Sequence, residues 1–187
     1  DYYASRGLGD VYKRQVYNTF LFAVPLLILF IYYLLWPLEE LIKKYYLHSA
    51  KKKLQEASPI TIGITGSYGK TSVKNFVASL VDKAYISVKT PASYNTLMGI
   101  TKTINTSVNN LTEVFISEMG ATKKGEIKEL TDFVAPSIAV ITEIGPQHLE
   151  TFKTLSCIQD TKFEIVESAN LKCLVLNIDN KYIREYE

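Results

Sequence analysis

Cysteine is scarce in this 187-residue chain: Cys157 and Cys173 stand far apart, and no CxxC occurs. That excludes a disulfide framework and a zinc ribbon, and predicts two reduced, buried thiols of the kind a cytoplasmic domain carries. A charge bias is also missing, since the formal net charge is +2. Residues 1–57 hold 8 Lys and Arg against 5 Asp and Glu, and the remainder holds 13 against 14. The basic excess is therefore N-terminal, and the rest of the chain offers no nucleic-acid surface. With 47% hydrophobic and 21% charged residues, wholesale disorder is excluded. An initial methionine is absent, and the chain stops at Tyr186-Glu187 just after a strand-like run, so the sequence reads as a fragment. The opening stretch, Asp1 to Gln15, contains "SRGLGDVYKRQ" and matches no pattern of the remainder. It is set aside as a non-native segment.

Charge is missing altogether from Val16 to Trp36, "VYNTFLFAVPLLILFIYYLLW". Some twenty uncharged apolar residues match the thickness of a hydrocarbon core and predict a transmembrane helix over 16–36. Tyr32, Tyr33 and Trp36 sit near one end, where aromatic rings favour the interface. A buried core helix fits the length and the lack of charge less well. A signal peptide would be shorter and followed by a small-residue cleavage site. Lys43, Lys44, Lys51, Lys52 and Lys53 follow. Their positive charge predicts that the domain beyond lies in the cytoplasm, with 37–57 as a basic helical linker on anionic headgroups or in solvent.

From Ser58 onward strand-like and helix-like runs alternate. Strands are predicted at Ile60–Thr65, Tyr85–Val88, Val114–Ser117, Ile138–Thr142 and Cys173–Leu176. Helices are predicted at Ser72–Lys83, Met98–Asn105, Glu126–Val134 and Ser156–Ser168. Such alternation implies an α/β domain over 58–187, a mainly parallel sheet with helices on both faces. Ligands bind such sheets beyond the carboxyl ends of the strands. Gly66–Thr71, Ser93–Thr96, Glu118 and Glu143–His148 all follow strand-like runs, so they are expected to converge there.

The first of these turns is "ITGSYGKTS", Ile64 to Ser72. After it, Val73, Phe76, Val77, Leu80 and Val81 form the stripe of an amphipathic helix. A glycine-rich turn between a strand and a helix N-terminus is an anion site, because the first helical N–H groups lack partners and the helix dipole favours negative charge. The turn lacks the first glycine of the longer phosphate loop, as Ile64 stands five residues before Gly69. Backbone N–H groups of Gly66, Ser67, Tyr68, Gly69, Lys70, Thr71 and Ser72 still have the means to approach phosphate. Lys70 would reach the β and γ phosphates, and a following hydroxyl would ligate Mg²⁺. Glu118 in "FISEMGA" is a strand-ending carboxylate suited to a phosphate-bridging Mg²⁺. By pattern alone, His148 and Lys162 are a structural histidine and a helix-surface lysine.

Taken together and in order, "ITGSYGKTSVK", "TPASYNT", "FISEMGATKKGEI", "PSIAVITEIGPQHLETF" and "TKFEI" resemble the central ATP-binding domain of the Mur ligases. The nearest branch adds D-alanyl-D-alanine to a UDP-N-acetylmuramoyl-tripeptide. The resemblance runs from about Pro59 to Asn180 and implies site roles. Lys70 and the Gly66 and Gly69 backbone would cradle ATP. Thr71 and Glu118 would hold one Mg²⁺, and His148 a second. Lys162 would be the lysine carbamylated by CO₂. Asn95 would lie near ATP and metal, and Asn177 beside the adenine, although Ile178 departs from the small residue usual there. The implied reaction is ATP-dependent amide ligation of peptidoglycan synthesis. A carboxylate of a UDP-linked or other cell-wall precursor would be joined to an amino acid or dipeptide amine. The family's sugar-binding and C-terminal ligase domains have no counterpart in these residues, so the fragment alone is expected to be inactive. Two other readings are a poly-γ-glutamate synthase-like ligase and a nucleotide-binding module without ligase activity. "TPASYNT" and "EMGA" weigh against the first, and the joint presence of Glu118, His148 and Lys162 against the second. A transport or motor ATPase would need a strand-ending Asp and the longer loop.

Overall fold

The structure is a computed structural model. It describes the backbone of residues 2–186 and the side chains of residues 11–186. Of the opening segment set aside above, residue 1 and the side chains of residues 2–10 lie outside the described residues, as does Glu187. The chain divides into two units, residues 1–45 and 46–187.

The first unit is helical. Helix α1, Tyr2–Ala57, contains Pro25 and Pro37 and continues into the second unit. Its most apolar stretch has a mean hydropathy of 2.2 with none of it buried, so it is long and apolar enough to cross a membrane by length and composition.

The second unit is the α/β domain. Its elements are β1 Ile60–Thr65, α2 Lys70–Val81, β2 Ser87–Lys89, α3 Leu97–Ser107, β3 Val114–Glu118 and α4 Glu126–Val134. They are followed by β4 Ile138–Ile141, α5 Leu149–Phe152, α6 Leu155–Phe163, β5 Cys173–Leu176 and α7 Lys181–Arg184. All five strands pair in parallel, in the order β2-β3-β1-β4-β5. The predicted Ser156–Ser168 helix ends at Phe163 and tightens into a 3₁₀ turn, Glu164–Glu167. The buried Glu164 carboxylate accepts the N–H groups of Gly125 and Lys128, which satisfies orphan donors at the start of α4.

One face of the sheet carries most of the cover. Ile100 and Ile104 of α3, Ile127 and Leu130 of α4, and Ile158 of α6 pack there with Phe115, Ala139 and Ile141. Ala50 and Leu54 join this core, so the last turns of α1 are part of the domain and not a linker. Lys53 Nζ donates to the Asn105 carbonyl, and the Asn105 amide donates to the Tyr46 carbonyl. Of the predicted basic collar, Lys44, Lys51 and Lys52 are exposed, and Lys43 and Lys53 are half-buried.

On the other face α2 covers Ile62, Ile64, Val114 and Ile116. The predicted stripe of α2 is only partly the buried one. Phe76 and Leu80 are 69% and 67% exposed, whereas Lys74 and Ala78 are buried. Beyond α2 this face thins out. Ile138 and Val140 are half-buried, and the register places Cys173 and Val175 of the edge strand beside them. Cys173 is consequently exposed and Cys157 half-buried; both are free thiols, and neither is buried as expected.

Candidate active site

The carboxyl ends of the strands gather the polar turns. β1 runs through Thr65 into the 66–69 turn, and Gly69 adopts a left-handed conformation as the N-cap of α2, with no side-chain cap. The N–H groups of Gly69, Lys70, Thr71 and Ser72 find no acceptor among the described residues. They form the open helix N-terminus that an anion would occupy.

The turn is braced by the segment after β4. The Ser67 N–H donates to the Glu143 carbonyl at 2.6 Å. The Ser67 hydroxyl donates to the Gly145 carbonyl at 3.0 Å and accepts the Gly145 N–H at 3.1 Å. Ser67 was predicted among the phosphate-binding positions, but its polar groups serve the frame of the loop and it is buried. Tyr68, half-exposed, donates its hydroxyl to the Pro146 carbonyl. Gly66 has φ +147°, and a Cβ there would lie 2.2 Å from Thr142 Oγ1, so only glycine fits this close crossing.

Lys70 Nζ lies back over the turn, donating to the Gly66 carbonyl at 2.7 Å and the Ser67 carbonyl at 3.1 Å. Burial lowers its pKa below the usual lysine value, and the Glu118 carboxylate opposes that shift. Glu118 ends β3 and is 1% exposed. Its Oε2 accepts the Thr71 hydroxyl at 2.9 Å and forms an ion pair with Lys74 Nζ at 2.9 Å; its Oε1 accepts the Asn95 amide at 3.3 Å. Asn95 is held by its neighbour in turn, since the Gly120 N–H donates to the Asn95 carbonyl. A Cβ at Gly120 would come within 2.7 Å of Asn95 Cγ.

The spacing of Thr71 and Glu118 suits a magnesium ion. Oxygen ligands at 2.0–2.1 Å in an octahedron have neighbouring edges of about 2.9 Å, the separation of Thr71 Oγ1 and Glu118 Oε2. No three His, Cys, Asp or Glu side chains converge among the described residues.

The family description "Mur ligase middle domain" fits residues 64–187. The chain belongs to the Mur ligase family. It is 37% identical over 117 residues to the UDP-N-acetylmuramoyl-tripeptide–D-alanyl-D-alanine ligase of Bacillus subtilis, a match covering 63% of this chain and 25% of that protein. Among solved structures it is similar to the MurF ligase of Thermotoga maritima in complex with ADP. There the TM-score is 0.69 and the identity 30%, over 76% of this chain and 33% of that one. A MurF structure from Acinetobacter baumannii matches with a TM-score of 0.67 and 25% identity, over 73% and 30%. The chain spans about a quarter of the length of the curated relatives it matches.

Within this Mur ligase domain the other predicted residues fall around the same end of the sheet. His148 is exposed, has φ +53° and caps α5 with its carbonyl, which accepts the Thr151 and Phe152 N–H groups. Thr151 donates to the Thr122 carbonyl, which ties the turn after β4 to the turn after β3. Lys162, on α6, is 1% exposed, with its ammonium 5.9 Å from the Phe152 ring centre. Burial pushes its pKa down to about 8; the Lys70 charge adds to this, and Glu126 and Glu164 oppose it. Lys162 is therefore no surface lysine, and it shares a field with Lys70 of the glycine-rich turn. Asn177 follows β5 and is exposed, with its side-chain oxygen accepting the Asp179 N–H. Asn180 reaches further in, donating to the Ile144 carbonyl. Sequence reasoning missed Lys74. Its only signal was a lysine set among the apolar positions of α2, four residues after Lys70.

Proposed function

We propose that this chain is the nucleotide-binding core of an ATP-dependent carboxylate–amine ligase of cell-wall precursor synthesis. The amine is D-alanyl-D-alanine or a similar dipeptide, and the carboxylate is that of a muramoyl-tripeptide carried on UDP or on another carrier. The observation that carries this reading is Glu118, held at the mouth of an open helix N-terminus by Thr71, Lys74 and Asn95. The names of the similar proteins supply the substrates.

In this reading the Gly69–Ser72 amides bind the phosphates of ATP, and Lys70 turns from the loop carbonyls to the β and γ phosphates. Thr71 and Glu118 hold Mg²⁺, with His148 at the rim for a second ion. Asn95 orients Glu118, and Asn177 lies on the adenine side. A bound Mg²⁺ neutralises charge on the phosphates. A carboxylate oxygen of the acceptor attacks the γ phosphorus and ADP leaves. The amine then attacks the acyl phosphate and inorganic phosphate leaves. The protein's part is positioning and electrostatic stabilisation.

Lys162 is poised for carbamylation, because only the neutral amine attacks CO₂. At a pKa of about 8 roughly a quarter of it is neutral at pH 7.5, against about one part in a thousand for an ordinary lysine. Residues 16–36 span the membrane in this reading, with the ligase domain on the cytoplasmic side.

The test is calorimetric binding of Mg²⁺·ADP to the chain. Lys70→Ala is expected to weaken it roughly 10- to 100-fold, the worth of a charged hydrogen bond. Undiminished affinity in that variant would refute the assignment of the loop. Ligation itself is read as ATP-dependent phosphate release when muramoyl-tripeptide and D-alanyl-D-alanine are supplied to the intact protein.

A further inference from the structure

Lys74 is the feature of this site that the functional reading leaves without a role. It stands among Val73, Val77, Ala78 and Val81 on the covered face of α2, and it is 1% exposed. A buried ion pair is weak evidence for stability, since an apolar side chain of similar volume commonly serves as well. What Lys74 touches is more specific than what it fills. Its ammonium lies 2.9 Å from Glu118 Oε2 and also donates to the Ala92 carbonyl. Ala92 is a non-glycine residue at φ +41°, a backbone conformation that persists only where its surroundings hold it. It belongs to the turn after β2 that delivers Asn95 to the other oxygen of Glu118. One cation therefore links the second turn of the phosphate-loop helix, the strained 91–95 turn and the strand-ending carboxylate.

We propose that Lys74 is a positioning residue for the metal-binding carboxylate, fixing Glu118 against Thr71 and the 91–95 turn against Glu118 before the metal–nucleotide complex arrives. This rests on the nucleotide-site reading above. A pre-set carboxylate presents its oxygen at the octahedral spacing from Thr71. Without the cation, Glu118 is free to follow Asn95, and the turn that carries Asn95 loses its anchor. Partners of this kind behind a metal ligand typically govern 10- to 100-fold in metal affinity.

The experiment compares the full chain with Lys74→Met, which keeps the volume of the stem and removes the charge. ADP binding is titrated with Mg²⁺ and is also measured in its absence. Amide hydrogen exchange is followed over residues 91–95 in the metal-free chain. The expected result is a roughly 10- to 100-fold rise in half-saturating Mg²⁺, with metal-free ADP binding kept and exchange at 91–95 faster. An unchanged Mg²⁺ requirement in a folded variant, or equal losses with and without the metal, overturns the proposal, because a purely structural residue would give one of those. If Lys74→Met does not fold, Lys74→Gln, which keeps a donor for the Ala92 carbonyl, is read for the Mg²⁺ requirement alone, with the same rise expected and an unchanged requirement overturning the proposal. A parent chain that binds no ADP overturns the nucleotide-site reading and this proposal with it. A parent that binds beside an unaltered variant overturns the role of Lys74 alone.

Discussion

Lys162 offers the sharpest quantitative test, because its burial has a sign that pH can read. Its pKa falls from an ordinary 10.5 to about 8 in the folded protein. Between those values the unfolded chain binds a proton at this site and the native chain does not, so unfolding takes up a proton and stability rises with pH. Below pH 8 both states are protonated, and the native state carries the whole penalty of a desolvated ammonium beside Lys70. The shift corresponds to about 3 kcal/mol, at 1.36 kcal/mol for each pH unit. Lys162→Met removes the charge and keeps most of the volume against Phe152. The variant should therefore be more stable than the parent by up to about 3 kcal/mol at pH 7. The difference should shrink through pH 8 to 10 and vanish near pH 10.5. Urea unfolding in bicarbonate-free buffer, followed by tyrosine near-UV circular dichroism, measures both proteins across that range. Taking the difference between them cancels the tyrosines and the lysines that do not interact with Lys162, leaving Lys162 and its coupling to Lys70. A variant less stable than the parent at pH 7, or a difference that ignores pH, would show that Lys162 is not a desolvated amine.

Other substitutions probe the frame of the site. Gly66→Ala forces a side chain against Thr142 Oγ1 in a conformation other residues avoid. It should destabilise the domain by about 2–4 kcal/mol, from backbone strain and lost hydrogen bonds. Adding Thr142→Ala should recover part of that in a double-mutant cycle by denaturant unfolding, and strict additivity would argue against the contact. Gly120→Ala should displace Asn95 from Glu118 and raise the Mg²⁺ needed for ADP binding while leaving the melting temperature within a few degrees, by about 1 kcal/mol of lost hydrogen bond. Cys173, exposed on the edge strand, should react with a maleimide faster than Cys157; equal rates would contradict the open sheet face.

The strands were legible because each buried run has its own apolar signature and ends in a turn. β1, β5 and α4 fall at their predicted limits, and the remaining strands differ by one or two residues. The positions of Glu118 and of the 66–72 turn were legible for the same reason, as polar groups at or directly after strand ends. What stayed hidden depends on partners distant in sequence. Phe76 and Leu80 fit the periodicity of α2 better than Lys74 does, yet Lys74 is buried because Glu118, 44 residues on, receives its charge. Ser67 reads as a phosphate ligand until the turn at Gly145 claims it. Residues 37–57 read as a linker because a strongly basic stretch near its end masks two apolar contacts, Ala50 and Leu54. The cysteines were expected inside on composition, and the thinly covered face beside β5 leaves one of them outside.

The bolt between Ser67 and Gly145 joins groups 78 residues apart. Local chain preferences cannot assemble the anion cradle, which awaits the alignment of β4 beside β1. Because closing so long a loop is slow compared with forming a helix, recovery of ADP affinity in a refolding experiment should lag behind recovery of helical signal. A bound nucleotide would then act as a clock hand, marking when the centre of the sheet has closed.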